Sequence, residues 1–346
     1  MSSAQRLRQD LSPLSHPYNT IDSARYCGPA PPPLSGGAYQ IEVTVRADRT
    51  ERLDVTTADT AGRRRIWLCA DDFGISNSVN LAIRDLVVRG RLNATSVLVV
   101  APSFSRSEAM SLNTLNSVEP RVAIGLHLGL TAPFHPLSKS FKPVSGDAFL
   151  PLAATARHAA MRRFDHDTLV AEVTLQMQTF LSAFGRVPDF VDGHQHVHLL
   201  PQISDALLAV VRETLPDAWV RQCGRVVPLA AQFADRKGLL LDIMSYRFRR
   251  RAAALGLRTN PGFAGTYQFD DAANFPAMFP RFLDRLPDGS VVMCHPGFVD
   301  AELQRLDPLT TLREKEYAYF AGDAFPAALA SHGVALAGTP SMPLSS

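Results

Sequence analysis

The sequence predicts an α/β fold, a distorted (β/α) barrel in which parallel strands alternate with helices. One observation is that short apolar runs of strand length alternate with longer segments of helical periodicity over most of the chain. The other is that several apolar runs end in Asp or His followed by Gly or Pro. Parallel sheets expose their functional residues at the carboxyl ends of their strands.

The apolar run 66–70 predicts the first strand, which leads directly into an acidic pair and a glycine. The helix after it has apolar residues at helical spacing and a glycine stop at Gly90. Further strands are predicted at 94–100, 122–130, 190–192, 219–221, 291–294 and 334–337. Helices are predicted at 76–89, 105–115, 165–184, 201–215, 229–255, 275–286 and 311–329.

Two segments do not fit this alternation. Residues 132–164 lack periodicity and contain several prolines, which predicts a functional loop such as a lid or a substrate-binding segment. Residues 260–263 (Asn-Pro-Gly-Phe) predict a shorter loop.

The composition limits the partners that this chain can have. A net charge of +2 over 346 residues indicates neither a nucleic-acid surface nor an anionic membrane partner. No run of about 18 apolar residues predicts a membrane span. Four scattered cysteines show no metal-binding spacing and suit a reducing compartment. We therefore expect a cytoplasmic protein, and the sequence leaves a homo-oligomer open.

The domain boundaries follow from composition. Residues 1–38 are rich in Ser, Pro, Arg and Gly, and residues 1–62 are predicted to be a disordered extension with one candidate strand at 39–45. The folded domain is expected to span 63–340.

Asp71 and Asp72 stand side by side at the end of the first predicted strand. Two buried like charges are costly unless a cation or a proton relieves them. Taken alone, either residue could instead cap the helix that starts near Ser76. Because neighbours on a strand face opposite ways, one carboxylate could bind a metal ion while the other contacts its water.

Histidines mark three more strand ends: His127, the run from His194 to His198, and His295. Imidazole with carboxylate is a common ligand set for a divalent cation. In an extended run the outer histidines of His-x-His-x-His lie about 13 Å apart, so they cannot share an ion unless the chain turns. His194 is therefore the expected ligand, and His196 and His198 are expected to support the site or contact substrate.

The motifs, taken in order, resemble those of the YdjC-like carbohydrate deacetylases, a family that includes chitooligosaccharide deacetylases and hopanoid-biosynthesis deacetylases. The matching segments are Ala-Asp-Asp-Phe-Gly at 70–74, Thr-Ser at 95–96, Gly-Leu-His-Leu-Gly-Leu-Thr at 125–131, Asp-Gly-His-Gln-His-Val-His at 192–198 and Met-Cys-His-Pro-Gly at 293–297. Cys69 departs from the family pattern, which usually has Asn before Ala-Asp-Asp.

The resemblance implies a barrel related to the polysaccharide-deacetylase fold and a hydrolase that removes acetyl groups from carbohydrates. By position it implies metal ligation by Asp72, His127 and His194, usually of Mg²⁺ in this family, with Zn²⁺ or another divalent ion as the alternative. It implies Asp71 as general base and His295 as general acid. Arg221 and Phe263 join His196 and His198 as expected supporting or substrate-contacting residues.

Other functions can use similar residues. A metal-dependent phosphoesterase or another amidohydrolase would have comparable ligands, but two-metal sites generally need more carboxylates near the histidines. A non-catalytic sugar-binding barrel would explain the fold and the long loop. It would not explain a paired Asp beside histidines.

Overall fold

The computed structural model describes residues 62–226 and 236–338. The strands in these residues are β1 (Arg64–Phe73), β2 (Ala94–Val97), β3 (Ala123–Leu128), β4 (Val144–Ser145), β5 (Ala148–Phe149), β6 (Phe190–Gly193), β7 (Trp219–Val220), β8 (Arg258–Thr259), β9 (Phe263–Ala264), β10 (Ser290–Cys294) and β11 (Val334–Leu336). The α-helices are α1 (Asn77–Val88), α2 (Arg106–Asn113), α3 (Leu152–Ala160), α4 (His166–Phe184), α5 (Ile203–Thr214), α6 (Arg236–Ala254), α7 (Phe275–Phe282), α8 (Ala301–Leu306), α9 (Thr311–Ala321) and α10 (Ala324–Ser331).

The central sheet has the strand order β8-β7-β6-β3-β2-β1-β10-β9, and β11 pairs with the first residues of β1. Every ladder in this sheet is parallel. Among the described strands no ladder joins β8 to β9, so the barrel is incomplete. The predicted α/β fold with a distorted barrel is confirmed. This architecture gathers the carboxyl ends of β1, β3, β6 and β10 at one edge.

Several predicted elements differ in detail. The segment 132–164 is not a structureless loop, because it holds the β4–β5 hairpin and the helix α3. The helix predicted at 311–329 is two helices, α9 and α10, separated at Gly322. β8, β9 and α8, which have two, two and six residues, were not predicted from the sequence. Elements this short show no detectable periodicity.

Two predictions fall wholly or partly outside the described residues. Almost all of the predicted extension 1–62, with its candidate strand at 39–45, lies there, and so does the beginning of the helix predicted at 229–255. Within the part of the chain that the structure describes, no helix combines the length and the apolar character needed to cross a bilayer.

The strand β1 lies in the middle of the sheet, and its residues from Ile66 to Phe73 are buried. Asn93, itself 4% exposed, fixes the position of this strand. Its Oδ1 accepts a hydrogen bond from the Leu68 N–H at 2.8 Å, and its Nδ2 donates to the carbonyls of Ile66 and Ala337 at 3.0 Å each. The Asn93 side chain thus connects β1 with the residue that follows β11.

Replacing Asn93 with Ala should lower the free energy of unfolding by about 2–4 kcal/mol, since the Leu68 N–H and the Ala337 carbonyl lose the Asn93 side chain and the Ile66 carbonyl keeps only its bond from the Ala337 N–H. Urea unfolding of the full chain measures this change. The exposed Asn77, changed to Ala in the same way, is the matched control and should stay within about 0.5 kcal/mol of the unmodified chain. A loss at Asn93 as small as that at Asn77 would contradict this role.

Candidate active site

The end of β1 turns sharply at the acidic pair. Asp72 has a φ of 70°, a left-handed conformation that is uncommon for a residue other than glycine. The helix α1 is capped by Ser76, whose Oγ accepts a hydrogen bond from the Val79 N–H at 3.3 Å. The alternative that Asp71 or Asp72 caps this helix is therefore wrong. Both carboxylates are free to face the edge of the sheet.

Asp72 divides its two oxygens between different partners. Its Oδ1 lies 2.8 Å from Nδ1 of His194 and 3.4 Å from Nε2 of His127. Its Oδ2 accepts a hydrogen bond from the Arg313 guanidinium at 2.6 Å. Burial disfavours the charged carboxylate, but His194 and Arg313 outweigh it and hold the pKa of Asp72 well below its ordinary value. Asp72 is therefore an ionised carboxylate.

Asp72, His127 and His194 form a group that fits a divalent cation. One potential ligand atom from each residue lies within 4.8 Å of those from the other two, and all three residues are buried. The donor set is one carboxylate oxygen and two imidazole nitrogens, which is common for divalent ions. The sequence-predicted ligands thus come together from the ends of β1, β3 and β6.

Asp192 orients one of these imidazoles. Its Oδ1 lies 2.6 Å from Nδ1 of His127, which leaves Nε2 of that ring facing Asp72. A carboxylate on the far nitrogen is the usual way in which proteins hold a metal-binding histidine. Burial lowers the pKa of His127, but the carboxylates of Asp192 and Asp71 outweigh it and raise the pKa to about 10.

Asp71 is held by Arg221 in a two-pronged ion pair. The guanidinium Nη1 and Nη2 donate to Oδ1 and Oδ2 of Asp71 at 2.7 and 2.6 Å. The Ser96 hydroxyl donates to Oδ1 at 3.2 Å, and the Cys69 thiol lies 3.6 Å from the same oxygen. Burial opposes ionisation, yet Arg221 and His127 hold the pKa of Asp71 below its ordinary range. Cys69, the departure from the family pattern, therefore touches Asp71 directly.

His295 follows β10 and faces the same edge. Its backbone N–H donates to Oε2 of Glu316 at 2.6 Å, and its half-buried ring stands edge-to-face with Phe269. Among the described residues no hydrogen-bond partner reaches its buried Nδ1. Removal from water lowers the pKa of His295 to about 4, although the Asp72 carboxylate acts in the opposite direction. The ring is therefore neutral at pH 7.

The His-x-His-x-His run is not extended. Gln195 and His196 have φ values of 52° and 59°, so the chain turns immediately after His194. The three histidine side chains nevertheless have different surroundings. His196 is half-buried and lines the cavity, whereas the buried His198 donates from Nε2 to the Arg221 carbonyl at 2.8 Å. The chain thus makes the turn that a shared ion would require, but of these three histidines it is His194 that lies beside Asp72.

A cavity of about 1190 Å³ opens over the group. It is lined by Asp71, Asp72, His127, His194, His196 and His295, by the segment from Thr266 to Asp271, and by apolar side chains that include Leu200, Leu241 and Met244. Of the other predicted supporting residues, Arg221 and Phe263 are fully buried. The Arg221 guanidinium lies 5.9 Å from the Phe263 ring. Both residues therefore lie behind the side chains that line the cavity and do not face the cavity themselves.

Two charged residues of the site lie outside the predicted motifs, and both are fully buried on the helix α9. Arg313 pairs with Asp72 and with Asp307, at 2.6 and 2.5 Å. Glu316 accepts hydrogen bonds from the His295 N–H and from the Tyr267 hydroxyl, both at 2.6 Å. Their spacing of three residues in a charged helix is also typical of a solvent-exposed face, so no signal distinguished them.

Comparison with known proteins agrees with the motif pattern. The family described as YdjC-like protein matches residues 65–331. A chitooligosaccharide deacetylase of Escherichia fergusonii is 26% identical over 266 residues, which cover 74% of this chain and 87% of that protein. A chitooligosaccharide deacetylase of Citrobacter koseri is 27% identical over 244 residues, 68% of this chain and 83% of that protein.

The fold is similar to that in the crystal structure of a protein from Enterococcus faecalis V583 that is named for cellobiose-phosphate cleavage. The TM-score is 0.63 at 22% sequence identity, over 80% of this chain and 97% of that one.

Three histidines of the site should make the fold sensitive to acid. Burial lowers the pKa of His295 to about 4 and that of His196 to about 3, and burial together with Arg221 holds the pKa of His198 well below 6.5. From about pH 4 to 6.5 the unfolded chain binds protons at these rings that the folded chain does not bind. The free energy of unfolding should therefore rise with pH in this window, by up to about 1.4 kcal/mol per pH unit for each histidine.

Urea unfolding at several pH values tests this. His295→Asn should flatten the slope because one titrating group is lost, whereas His135→Asn, at an exposed histidine, should leave it unchanged. Equal slopes for all three proteins would show that His295 is not buried in its neutral form.

Proposed function

We propose that this chain, which belongs to the YdjC-like protein family, is a carbohydrate deacetylase that hydrolyses the acetyl group of an N-acetylated sugar with a divalent metal ion. The observation that carries the proposal is the group formed by Asp72, His127 and His194 at the wall of the cavity, with Asp71 beside it. Amide hydrolysis needs an activated water, a polarised carbonyl and a proton for the leaving amine. The named deacetylase relatives support the carbohydrate as substrate.

The ion would be held by Asp72, His127 and His194. A bound divalent ion polarises the acetyl carbonyl and acidifies a water molecule. The resemblance implies Mg²⁺, but Mg²⁺ prefers oxygen ligands, and two imidazole nitrogens favour Zn²⁺ or another transition ion. We therefore propose that transition ions bind this site more tightly than Mg²⁺.

Asp71 is the proposed general base. Arg221 and Ser96 fix its carboxylate, so that it is ionised and oriented before substrate arrives. The same ion pair makes Asp71 a weak base, because its pKa lies below the ordinary range. The water it deprotonates must therefore already be acidified, which is what a neighbouring ion provides.

His295 is the proposed general acid for the leaving amine. With a pKa of about 4 its ring is neutral at pH 7, and the N–H of a neutral imidazole is too weak an acid to protonate an amine. We therefore propose that the proton which Asp71 takes from the attacking water passes to His295, which then delivers it to the amine nitrogen. A neutral imidazole with an unpartnered Nδ1 is suited to this transfer.

The alternative functions are less well supported. A two-metal phosphoesterase needs a second cluster of ligands close to the first. The other candidate group in the described residues is Cys69, Asp71 and Asp192, but Arg221 lies between its carboxylates, 2.6 and 2.9 Å from them. A guanidinium thus takes the place of a second cation. A binding protein without catalysis would have no use for a base that is oriented so strictly.

The proposed function is tested by measuring acetate release from N-acetylglucosamine oligosaccharides of different lengths. The purified full chain should release acetate, a chelator should abolish the release, and an added divalent ion should restore it. Activity that is unchanged after complete removal of metal would exclude metal dependence. No release from any acetylated sugar, in the presence of each candidate ion, would exclude the deacetylase proposal.

The two neighbouring aspartates should respond differently to the same substitution. Asp72→Asn should lower both the bound metal and the activity, because it removes the charged ligand. Asp71→Asn should keep the metal but lose a factor of about 10²–10⁴ in rate, the usual contribution of general base catalysis. Metal analysis of the purified variants beside their kinetics measures both effects.

The reverse result, loss of metal in Asp71→Asn and retention in Asp72→Asn, would mean that the two roles are exchanged. The exposed Asp147, changed to Asn, is the matched control and should alter neither quantity.

A further inference from the structure

The segment from Gly265 to Asp271 follows β9 and forms one wall of the cavity beside His295. It carries Phe269, whose side chain is unusual among those of the described phenylalanines. Phe269 is 44% exposed, whereas the other phenylalanines in the described ranges are buried or half-buried. Exposure of a large apolar ring to water is unfavourable unless a partner covers it in use. This ring lies at the mouth of a cavity, where a ligand can provide that cover.

The backbone of this segment is fixed at its start. Gly265 has a φ of 100°, and a Cβ atom built there would lie 2.1 Å from the Met293 carbonyl oxygen. Only glycine can therefore lie this close to β10. This close contact fixes the start of the segment against β10, the strand that precedes His295.

The segment is also fixed near Phe269 itself. The Tyr267 hydroxyl donates to the buried Glu316 at 2.6 Å, and the rings of Tyr267 and Phe269 are 4.4 Å apart. The Asp270 N–H donates to the Gln268 carbonyl at 2.8 Å, and Lys315 donates to the Asp271 carbonyl. The exposed ring is therefore held in a defined place by the segment that carries it.

The position of Phe269 defines which part of a substrate it can touch. Its ring centroid is 5.5 Å from that of His295, and the two rings meet edge-to-face. In the proposed reaction His295 faces the nitrogen that leaves with the sugar. Because the acetyl carbonyl would face the ion, the sugar ring on the other side of the amide nitrogen is the part of the substrate that lies toward Phe269. A pyranose has an apolar face of C–H groups, which suits the negative face of an aromatic ring.

Glu316 thereby connects two parts of the site. One of its oxygens accepts from the His295 N–H and the other from the Tyr267 hydroxyl. This buried carboxylate therefore ties the backbone of His295 to the segment that carries Phe269. Burial raises the pKa of Glu316 to about 7, while its hydrogen bonds from Tyr267 and His295 act in the opposite direction.

We propose that Phe269 is the specificity-determining residue that binds the apolar face of the sugar ring carrying the leaving nitrogen, and that Tyr267 and Glu316 are positioning residues that hold it beside His295. The inference rests on the proposed deacetylase function and names the part of the substrate that the site recognises. An acetylated amine without a pyranose ring has nothing to place over Phe269 and is expected to be a poor substrate.

The test compares three variants of the full metal-loaded chain. Phe269→Leu keeps an apolar side chain but loses the flat ring, and it should raise KM for an N-acetylglucosamine oligosaccharide about tenfold with little change in kcat. Phe269→Tyr keeps the ring and should behave like the unmodified chain. Tyr267→Phe loses only the hydroxyl that donates a hydrogen bond to Glu316, and it should also raise KM, by a smaller factor. A change in KM alone indicates lost binding and not lost chemistry.

Calorimetric titration with the same oligosaccharide, using chain from which metal has been removed, separates this inference from the proposed function. Binding by the unmodified chain that weakens about tenfold in Phe269→Leu and not in Phe269→Tyr supports the aromatic contact, whether or not acetate is released. Equal binding by all variants, or no binding to the unmodified chain, overturns it. Absence of acetate release with intact, ring-dependent binding would instead count against the deacetylase proposal alone.

Discussion

The site depends on the neutralisation of two adjacent carboxylates that the end of β1 buries. Asp71 and Asp72 are each 2% exposed, and neither could remain ionised there without a cation. The chain supplies one guanidinium to each: Arg221 pairs with Asp71 and Arg313 with Asp72. Removing one partner of such a buried pair typically costs about 3–5 kcal/mol, so these pairs bind distant parts of the chain together as well as shaping the site.

The two ion pairs also give the two aspartates different roles. Arg221 takes both oxygens of Asp71, which leaves this carboxylate ionised, rigid and weakly basic. Arg313 takes one oxygen of Asp72 and leaves the other facing His127 and His194. A single oxygen beside two imidazoles is the part of the site that fits an ion. The difference between the neighbours thus comes from their partners and from the turn at Asp72, and not from their residue type.

The helix α9 has a role that its sequence does not suggest. It contributes two buried charged side chains to the site. Arg313 orients Asp72, and Glu316 holds the backbone of His295. Charged side chains in a helix usually face water, and nothing in the spacing of these two distinguishes them from an exposed stripe. Their burial is decided by how α9 docks against α1, α7 and the segments that follow β9 and β10, which are distant in sequence.

The sequence by itself determined the fold class and the residues that meet at the sheet edge, because apolar periodicity is local and parallel strands align their carboxyl ends. It therefore predicted Asp71, Asp72, His127, His194 and His295 as neighbours. It left open whether the His-x-His-x-His run turns, which left-handed residues at 195 and 196 decide, and it did not predict the short strands β8 and β9. Only the tertiary structure decided which cation meets each carboxylate and which aromatic ring faces the cavity. Such contacts join residues up to 241 positions apart, and packing, not local pattern, brings them together.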